Sequence, residues 1–231
     1  IRDSYHTEQD FSEIDDLAAA NPQRLNELVD LWHHEARRDN VLPMEDDLFK
    51  LYEDVVPKPR RRYTFYPGMT RLDRLSAPDL HSYSGTINAH VALHSKRANG
   101  VILASGDSGA GYEFYLQDGY LAFVYVYTRF ERYSVRSPQR AGPGVSSLSL
   151  RFEKAGENSA NVHMLVDGVQ VASVQLPKMW QVFSPNSGLR CGENQHAPIS
   201  RDYEAPFPFD QTLERVVVEL ELPAASGQAR G

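Results

Sequence analysis

Several side chains have the types that catalysis uses, and their spacing decides what they can do. His33-His34-Glu35 sets two imidazoles beside a carboxylate. A zinc-hydrolase helix needs two histidines four residues apart on one face, with the glutamate between them. Here the histidines are adjacent, and adjacent helical residues do not share a face. The trio therefore reads as a solvated helix face. Gly106-Asp107-Ser108-Gly109 resembles the Gly-Asp-Ser-Gly around some serine-protease nucleophiles. Such a serine needs a positioned histidine and a buried acid, and no recognisable set accompanies it, so a loop between two strands is expected. Cys191 is the single cysteine. With no histidine partner in view it reads as a small buried residue.

Loop acids and aromatics remain. Asp73, Asp79, Asp107, Asp118, Asp167 and Asp202 carry the hard oxygens that calcium takes. They show no ligand spacing, and turns already account for Asp118 and Asp167. The aromatics suggest more. Tyr115, Tyr125, Tyr127, Phe130 and Tyr133, with Arg129, Glu131 and Arg132 nearby, are the parts of a sugar-stacking surface. From these, Tyr115, Tyr125, Tyr127, Arg129, Arg132 and Tyr133 form the candidate ligand or docking surface. The competing reading is packing, since aromatics are ordinary on strands. No catalytic, cofactor-binding or metal-ligating residue is assigned.

The elements that must position these residues are legible from the pattern. Tyr112–Tyr127 places two strand-length apolar runs around Asp118-Gly119. An Asp-Gly pair between alternating hydrophobics is a hairpin signal, because a tight primed turn needs positive φ. Tyr112, Phe114 and Leu116 alternate with Glu113, Tyr115 and Gln117, which predicts one buried face and one wet face. The same device recurs at Asp167-Gly168. Strand-like runs are expected at Gly85–Leu93, Gly100–Ser105, Tyr112–Gln117, Tyr120–Thr128, Arg132–Ser137, Ser146–Phe152, Asn161–Val166, Val169–Gln175 and Arg215–Leu222. That spacing, with no helical pattern between, predicts a mainly β, antiparallel β-sandwich. Ahead of it, Leu25, Leu28, Val29, Trp32 and Ala36 form the apolar stripe of an amphipathic helix over about 22–39. Asn21 is its expected cap and Pro22 its first helical residue. Prolines at 43, 57, 59, 67 and 78 mark an extended connector. PAASGQARG at 223–231 reads as a disordered tail.

Composition excludes several classes. The 231 residues carry a net charge of -7, which argues against general nucleic-acid or anionic-membrane binding. No window approaches a membrane span. One cysteine rules out an intrachain disulfide and a multi-cysteine zinc site. The polar start IRDSYHTEQDF has no apolar leader core, so the default compartment is the cytoplasm. It also lacks an initiator Met, so the chain reads as the start of a fragment.

Two stretches resemble a known family. Phe11-Ser-Glu13, Asp16-Leu-Ala18, Pro22, Leu25, Glu27-Leu28, Leu31-Trp32, Glu35-Ala36 and Asn40-Val-Leu-Pro43 are similar to the end of the catalytic domain of type I sulfatases, the arylsulfatase family. Gly192, Pro198-Ile-Ser200 and Asp202-Tyr203-Glu204-Ala-Pro-Phe207-Pro-Phe209 are similar to the closing segment of bacterial arylsulfatases. Between them, Gly100-Val-Ile-Leu-Ala104, Gly111-Tyr-Glu-Phe114, Leu116, Asp118-Gly119 and Arg132-Tyr133 are also similar. The resemblance implies a concanavalin-like (jelly-roll), laminin-G-like sandwich over 81–222. It also implies a connector over 57–80 and the end of a sulfatase α/β domain over 1–56. The family uses calcium and a formylglycine made within a Cys/Ser-x-Pro-Ser/Ala-Arg motif. Cys191 is followed by Gly-Glu-Asn-Gln instead, so no catalytic role carries over. Sulfate-ester hydrolysis needs an activated nucleophile, a cation and an acid, and no such set is visible. The expectation is a non-catalytic accessory region of an arylsulfatase-like hydrolase. It would brace the catalytic domain or shape the substrate entrance. Its partners would be that domain and, through the parent enzyme, sulfated carbohydrate or aryl sulfate. The alternative is a lectin-like carbohydrate-binding module.

Overall fold

The computed structural model describes residues 3–42, 58–73, 76–180, 188–195 and 198–223. The expected connector residues 43–57 and tail residues 224–231 lie outside the described residues. The chain divides into two units, Ile1–Val55 and Val56–Gly231.

In the first unit, α1 spans Pro22–Arg38. Pro22 stands at its start, but Asn21 does not cap it with its side chain. Asn21 Nδ2 instead donates to Leu17 O at 3.3 Å. A local turn has competed successfully for the amide. The helix ends where Asn40 turns left-handed at φ 54°, letting Val41 N reach back to Ala36 O at 2.8 Å. Arg37 and Arg38 occupy the last turn, where cations suit the helix dipole. Of the apolar stripe only Ala36 is buried, while Leu28 and Trp32 are 40% and 46% exposed.

The second unit is the sandwich. Its strands are β1 (Arg62–Phe65), β2 (Gly85–Ala92), β3 (Gly100–Gly106), β4 (Gly111–Gln117), β5 (Tyr120–Thr128), β6 (Glu131–Arg140), β7 (Ser147–Gly156), β8 (Ser159–Val166), β9 (Val169–Leu176), β10 (Leu189–Cys191) and β11 (Thr212–Leu220). One sheet runs β1-β11-β2-β7-β8-β9 and the other β10-β3-β4-β5-β6. These strand pairs are antiparallel. All nine expected runs are strands. β1 is an addition inside the expected connector: Arg62–Phe65 pairs with β11. Four residues among prolines carry too short an alternation to announce a strand.

Both Asp-Gly pairs make the primed turns. Asp118 and Gly119 have φ of 50° and 79°, and Asp167 and Gly168 have 46° and 79°. Gly119 also meets a close approach: a Cβ there would lie 2.0 Å from Lys96 O, whereas Gly168 has nothing within 4 Å. The first turn therefore demands glycine on two counts and the second on one.

The two sheets close over one core. Phe114, Leu116, Leu121, Phe123 and Tyr125 from the five-stranded sheet pack with Ile87, Leu148, Leu150, Phe152, Val162 and Val216 from the other. Phe152 meets Phe123 edge to face, with ring centroids 5.6 Å apart.

Candidate functional site

The outer face of the five-stranded sheet is not wet. All of β4 but Gln117 is buried. The covering element is a strap made by residues 192–195 and 198–211, which the residue pattern of β4 cannot reveal. Its Tyr203, Ala205, Phe207 and Phe209 are half-buried while Glu204, Pro206 and Pro208 are exposed. That alternation is strand-like, in a proline-rich stretch that cannot join a central ladder. Backbone bonds hold it down: Val101 N donates to Phe207 O at 3.3 Å, and Gly192 N to Ile102 O at 3.1 Å. Beneath it, Val101, Ala104, Tyr115, Ala122, Val124, Val126 and Ile199 form a second apolar cluster.

Glu113 is the polar anchor under the strap and is fully buried. Its carboxylate accepts from Asn194 Nδ2 at 3.1 Å, Ser200 N at 2.9 Å and Tyr203 Oη at 2.5 Å. Burial raises its pKa, and these hydrogen bonds partly oppose the rise. A buried carboxyl with a raised pKa is often a catalytic acid. This one is enclosed by its donors and touches no solvent, so it fastens the strap. Tyr115 does the same work beside it. Its hydroxyl lies 2.9 Å from Ser200 Oγ and donates to Asp202 Oδ2 at 2.7 Å.

The structure divides the candidate surface of Tyr115, Tyr125, Tyr127, Arg129, Arg132 and Tyr133. Tyr115 is buried under the strap, on the outer face. Tyr125 is fully buried between the sheets, where burial pushes its pKa up to about 12. Neither can meet a ligand. The Asp-Gly turn already contains this sorting. Gln117 pairs with Tyr120, so Tyr125 must pair with Tyr112 on the core face and Tyr115 with Ala122 on the other. Arg132 shares the outer face with Val126, while Tyr133 pairs with Tyr125 on the inner one.

Tyr127 and Tyr133 come together at the rim where β6 approaches β9. Residues following β9 complete this rim. Trp180 stacks on Tyr127 with centroids 5.1 Å apart and an interplanar angle of 24°. Trp180 Nε1 also donates to the Tyr127 carbonyl, and its backbone N–H donates to Tyr125 Oη at 3.0 Å. Lys178 Nζ lies 3.1 Å from Glu131 Oε2 and 5.6 Å from the Tyr127 ring centroid. Tyr133 Oη donates to Glu131, and this bond, then Lys178, lowers the Glu131 pKa. At the adjacent hairpin tip Arg129 lies 4.3 Å from the centroid of the Phe130 ring, which is 82% exposed. Trp180 and Lys178 escaped the sequence reading because they follow β9, some fifty residues from Tyr127.

The other chemical candidates are structural. Asp107 Oδ1 accepts from Gly109 N at 2.7 Å, an ordinary loop bond. Cys191 is buried and its thiol is pushed up to about 12 by burial. Among the described residues no group of three His, Cys, Asp or Glu side chains is placed to hold a metal. No described helix is long and apolar enough to cross a membrane.

No protein-family model matches the chain, and no curated protein matches it by sequence. Solved structures do. A Ruminococcus gnavus IT-sialidase CBM40, bound to alpha2,3 sialyllactose, is 18% identical with a TM-score of 0.49, over 72% of this chain and 92% of that one. The leech intramolecular trans-sialidase, complexed with 2,7-anhydro-Neu5Ac, is 14% identical with a TM-score of 0.47, over 72% and 26%. The LG1-3 region of the laminin alpha2 chain is 13% identical with a TM-score of 0.40, over 71% and 31%. What these chains share with this one is the two-sheet β architecture.

Proposed function

We propose that this chain is a non-catalytic, lectin-like module that binds carbohydrate at the rim formed by Tyr127, Trp180, Phe130 and Lys178. The observation that carries this reading is the Trp180 ring, 37% exposed and braced from behind by Tyr127. A flat aromatic held in place loses little freedom on stacking against the C–H face of a sugar ring. Lys178 and Arg129 supply donors for hydroxyl and acidic groups at its edge. Screening the chain on a glycan array, then titrating hits by calorimetry, tests it. Trp180→Ala is expected to weaken the best glycan about tenfold and to leave the circular dichroism spectrum unchanged. No glycan bound at about 10 mM, or equal binding by the variant, would sink the rim.

A second reading follows the sequence resemblance: the accessory end of an arylsulfatase-like hydrolase. Two observations favour it. The described residues of the Gly192–Phe209 segment, which carries the resemblance, form the strap that covers the sheet. Helix α1, which carries the other part, leaves Leu28, Leu31 and Trp32 between 40% and 54% exposed, as a face built to be covered. Sequencing the coding region directly upstream tests this reading. An in-frame catalytic domain with its formylglycine motif is expected, and an unrelated upstream frame would count against it.

A further inference from the structure

We infer that the Asp118-Gly119 end of the five-stranded sheet is an anion-binding site, where the guanidinium groups of Arg97, Arg136 and Arg140 take an oxyanion: a sulfate, phosphate or carboxylate group. A bulge in β6 builds it. Tyr120 of β5 pairs with Arg140, and Ala122 with Arg136. Positions two apart on β5 thus face positions four apart on β6. Pro138, inside the bulge, cannot donate to the ladder. Ser137 stitches it: its Oγ accepts from Leu121 N at 3.0 Å and donates to Gln139 O at 2.7 Å. Bulges re-aim side chains. This one sets Arg136 and Arg140 against a single ring, 4.1 and 4.8 Å from the centroid of Tyr120. The third arginine comes from the loop before β3, which is docked on the same turn. Asn99 Oδ1 accepts from Asp118 N at 2.8 Å, and Gly119 N donates to Ala98 O at 2.8 Å. That docking brings Arg97 Nε to 3.6 Å from Asp118 Oδ1.

Three guanidiniums therefore meet one carboxylate, on a chain whose net charge is -7. Arg140 spends two donors on the turn: Nη2 reaches Asp118 Oδ2 at 2.5 Å, and Nε reaches Asp118 O at 2.8 Å. Arg136 spends one, from Nη2 to Gln117 O at 3.3 Å. Among the described residues Arg136 has no ion pair, and the Arg97 side chain makes no hydrogen bond. The Arg140 hydrogen bond, then the charges of Arg140, Arg97 and Arg136, hold the Asp118 carboxyl below its usual range. Asp118 thus stays ionised, yet it balances one charge of the three. Asp210, the acid that reaches Asn99, is occupied by Asn99 N at 2.9 Å and Gln211 Nε2 at 3.1 Å. Like charges held close repel unless an anion shares them. Exposed arginines ordinarily swing apart; Arg136 and Arg140 are pinned by the ring and by backbone carbonyls. A pinned guanidinium offers paired donors in a planar fork that fits two oxygens of one anion. Arg97, with its side chain 77% exposed, can fold onto that anion from the loop side. The carbohydrate rim is elsewhere: Tyr127 lies at the other end of β5 from Tyr120, roughly 23 Å along a strand.

Two-dimensional NMR titration of the full chain with sodium sulfate, phosphate and acetate, at ionic strength held constant with chloride, tests the site. For at least one anion, saturable shifts are expected at the Gly119 amide and the Arg140 Nε–H, and none at the Phe152 amide. Arg136→Gln and Arg97→Gln should each weaken binding about tenfold with an unchanged circular dichroism spectrum. Arg62→Gln makes the same charge change on the other sheet and should leave binding unchanged. Trp180→Ala should also leave it unchanged, so failure of the rim and failure of this site are read separately. Glucose 6-sulfate binding more tightly than free sulfate would assign the anion to a saccharide; otherwise the ligand is the free ion. The inference is overturned if none of the three anions saturates by about 50 mM. Equal losses in Arg136→Gln and Arg62→Gln overturn it too, because they mean general screening.

Discussion

Phe152→Ala is expected to cost the sandwich about 3–5 kcal/mol, the range for removing a fully packed aromatic. Phe152 is 1% exposed and sits where the two sheets meet. It touches Phe123 and Tyr112 edge to face, with centroids 5.6 and 6.1 Å away. Phe152 and Phe123 come from the middles of β7 and β5 and Tyr112 from near the start of β4, and all three strands are pinned by neighbours on both sides. The walls cannot collapse into the void, so transfer and cavity terms both count. Against a typical total of about 5–15 kcal/mol, that is a large share. Urea denaturation followed by tryptophan fluorescence reads it as a midpoint lowered by about 1.5–2 M. A shift below about 0.5 M would mean that the sheets are not joined through this ring.

Glu113→Ala is the second large effect, expected at about 3 kcal/mol. The substitution leaves Asn194 Nδ2, Tyr203 Oη and Ser200 N without their acceptor beneath the strap. Buried donors that lose a partner cost about 1–3 kcal/mol each, partly offset by no longer burying a carboxylate. The strap should loosen first, so hydrogen exchange at the Ser200 amide should accelerate more than exchange at Phe123 on the core face. Equal acceleration at both would mean global unfolding rather than release of the strap. Glu113→Gln keeps the shape and separates the charge. Burial raises the Glu113 pKa above its ordinary value of 4.5, so the folded chain holds this proton more tightly than the unfolded chain. Its contribution to stability is full below 4.5 and is lost as pH rises through the folded value. The stability of the native chain relative to Glu113→Gln should therefore fall as pH rises above 4.5, measured by urea midpoints. A difference that rises with pH would reverse the sign and remove burial as the dominant cause.

Much of the fold was legible because its signals are local. Alternation over six to nine residues marks a strand wherever it occurs, and an Asp-Gly pair can be accommodated in little but a primed turn. The nine runs and the two hairpins are therefore all present. The register that separates Tyr125 from Tyr115 was also legible, since a two-residue turn fixes which residues pair. Treating the tyrosines as one surface overlooked that constraint. Helix α1 likewise follows from its stripe and from Pro22, while its Asn21 cap does not, because a competing turn at Leu17 takes the amide.

What only the tertiary structure decided is which face each strand leaves open. Alternation states that β4 has two faces; it does not state what lies over the second. That depended on a strap some eighty residues later, whose Tyr203 and Phe207 supply the missing apolar cover and whose Asn194 and Ser200 satisfy Glu113. The rim arose in the same way, from Lys178 and Trp180 meeting Tyr127 and Glu131 across the gap between the sheets. The sequence by itself determined the class of fold, the turns and the lack of a recognisable nucleophile. Burial and partnership are properties of pairs distant along the chain, so the working surfaces of this protein waited for the two sheets to close.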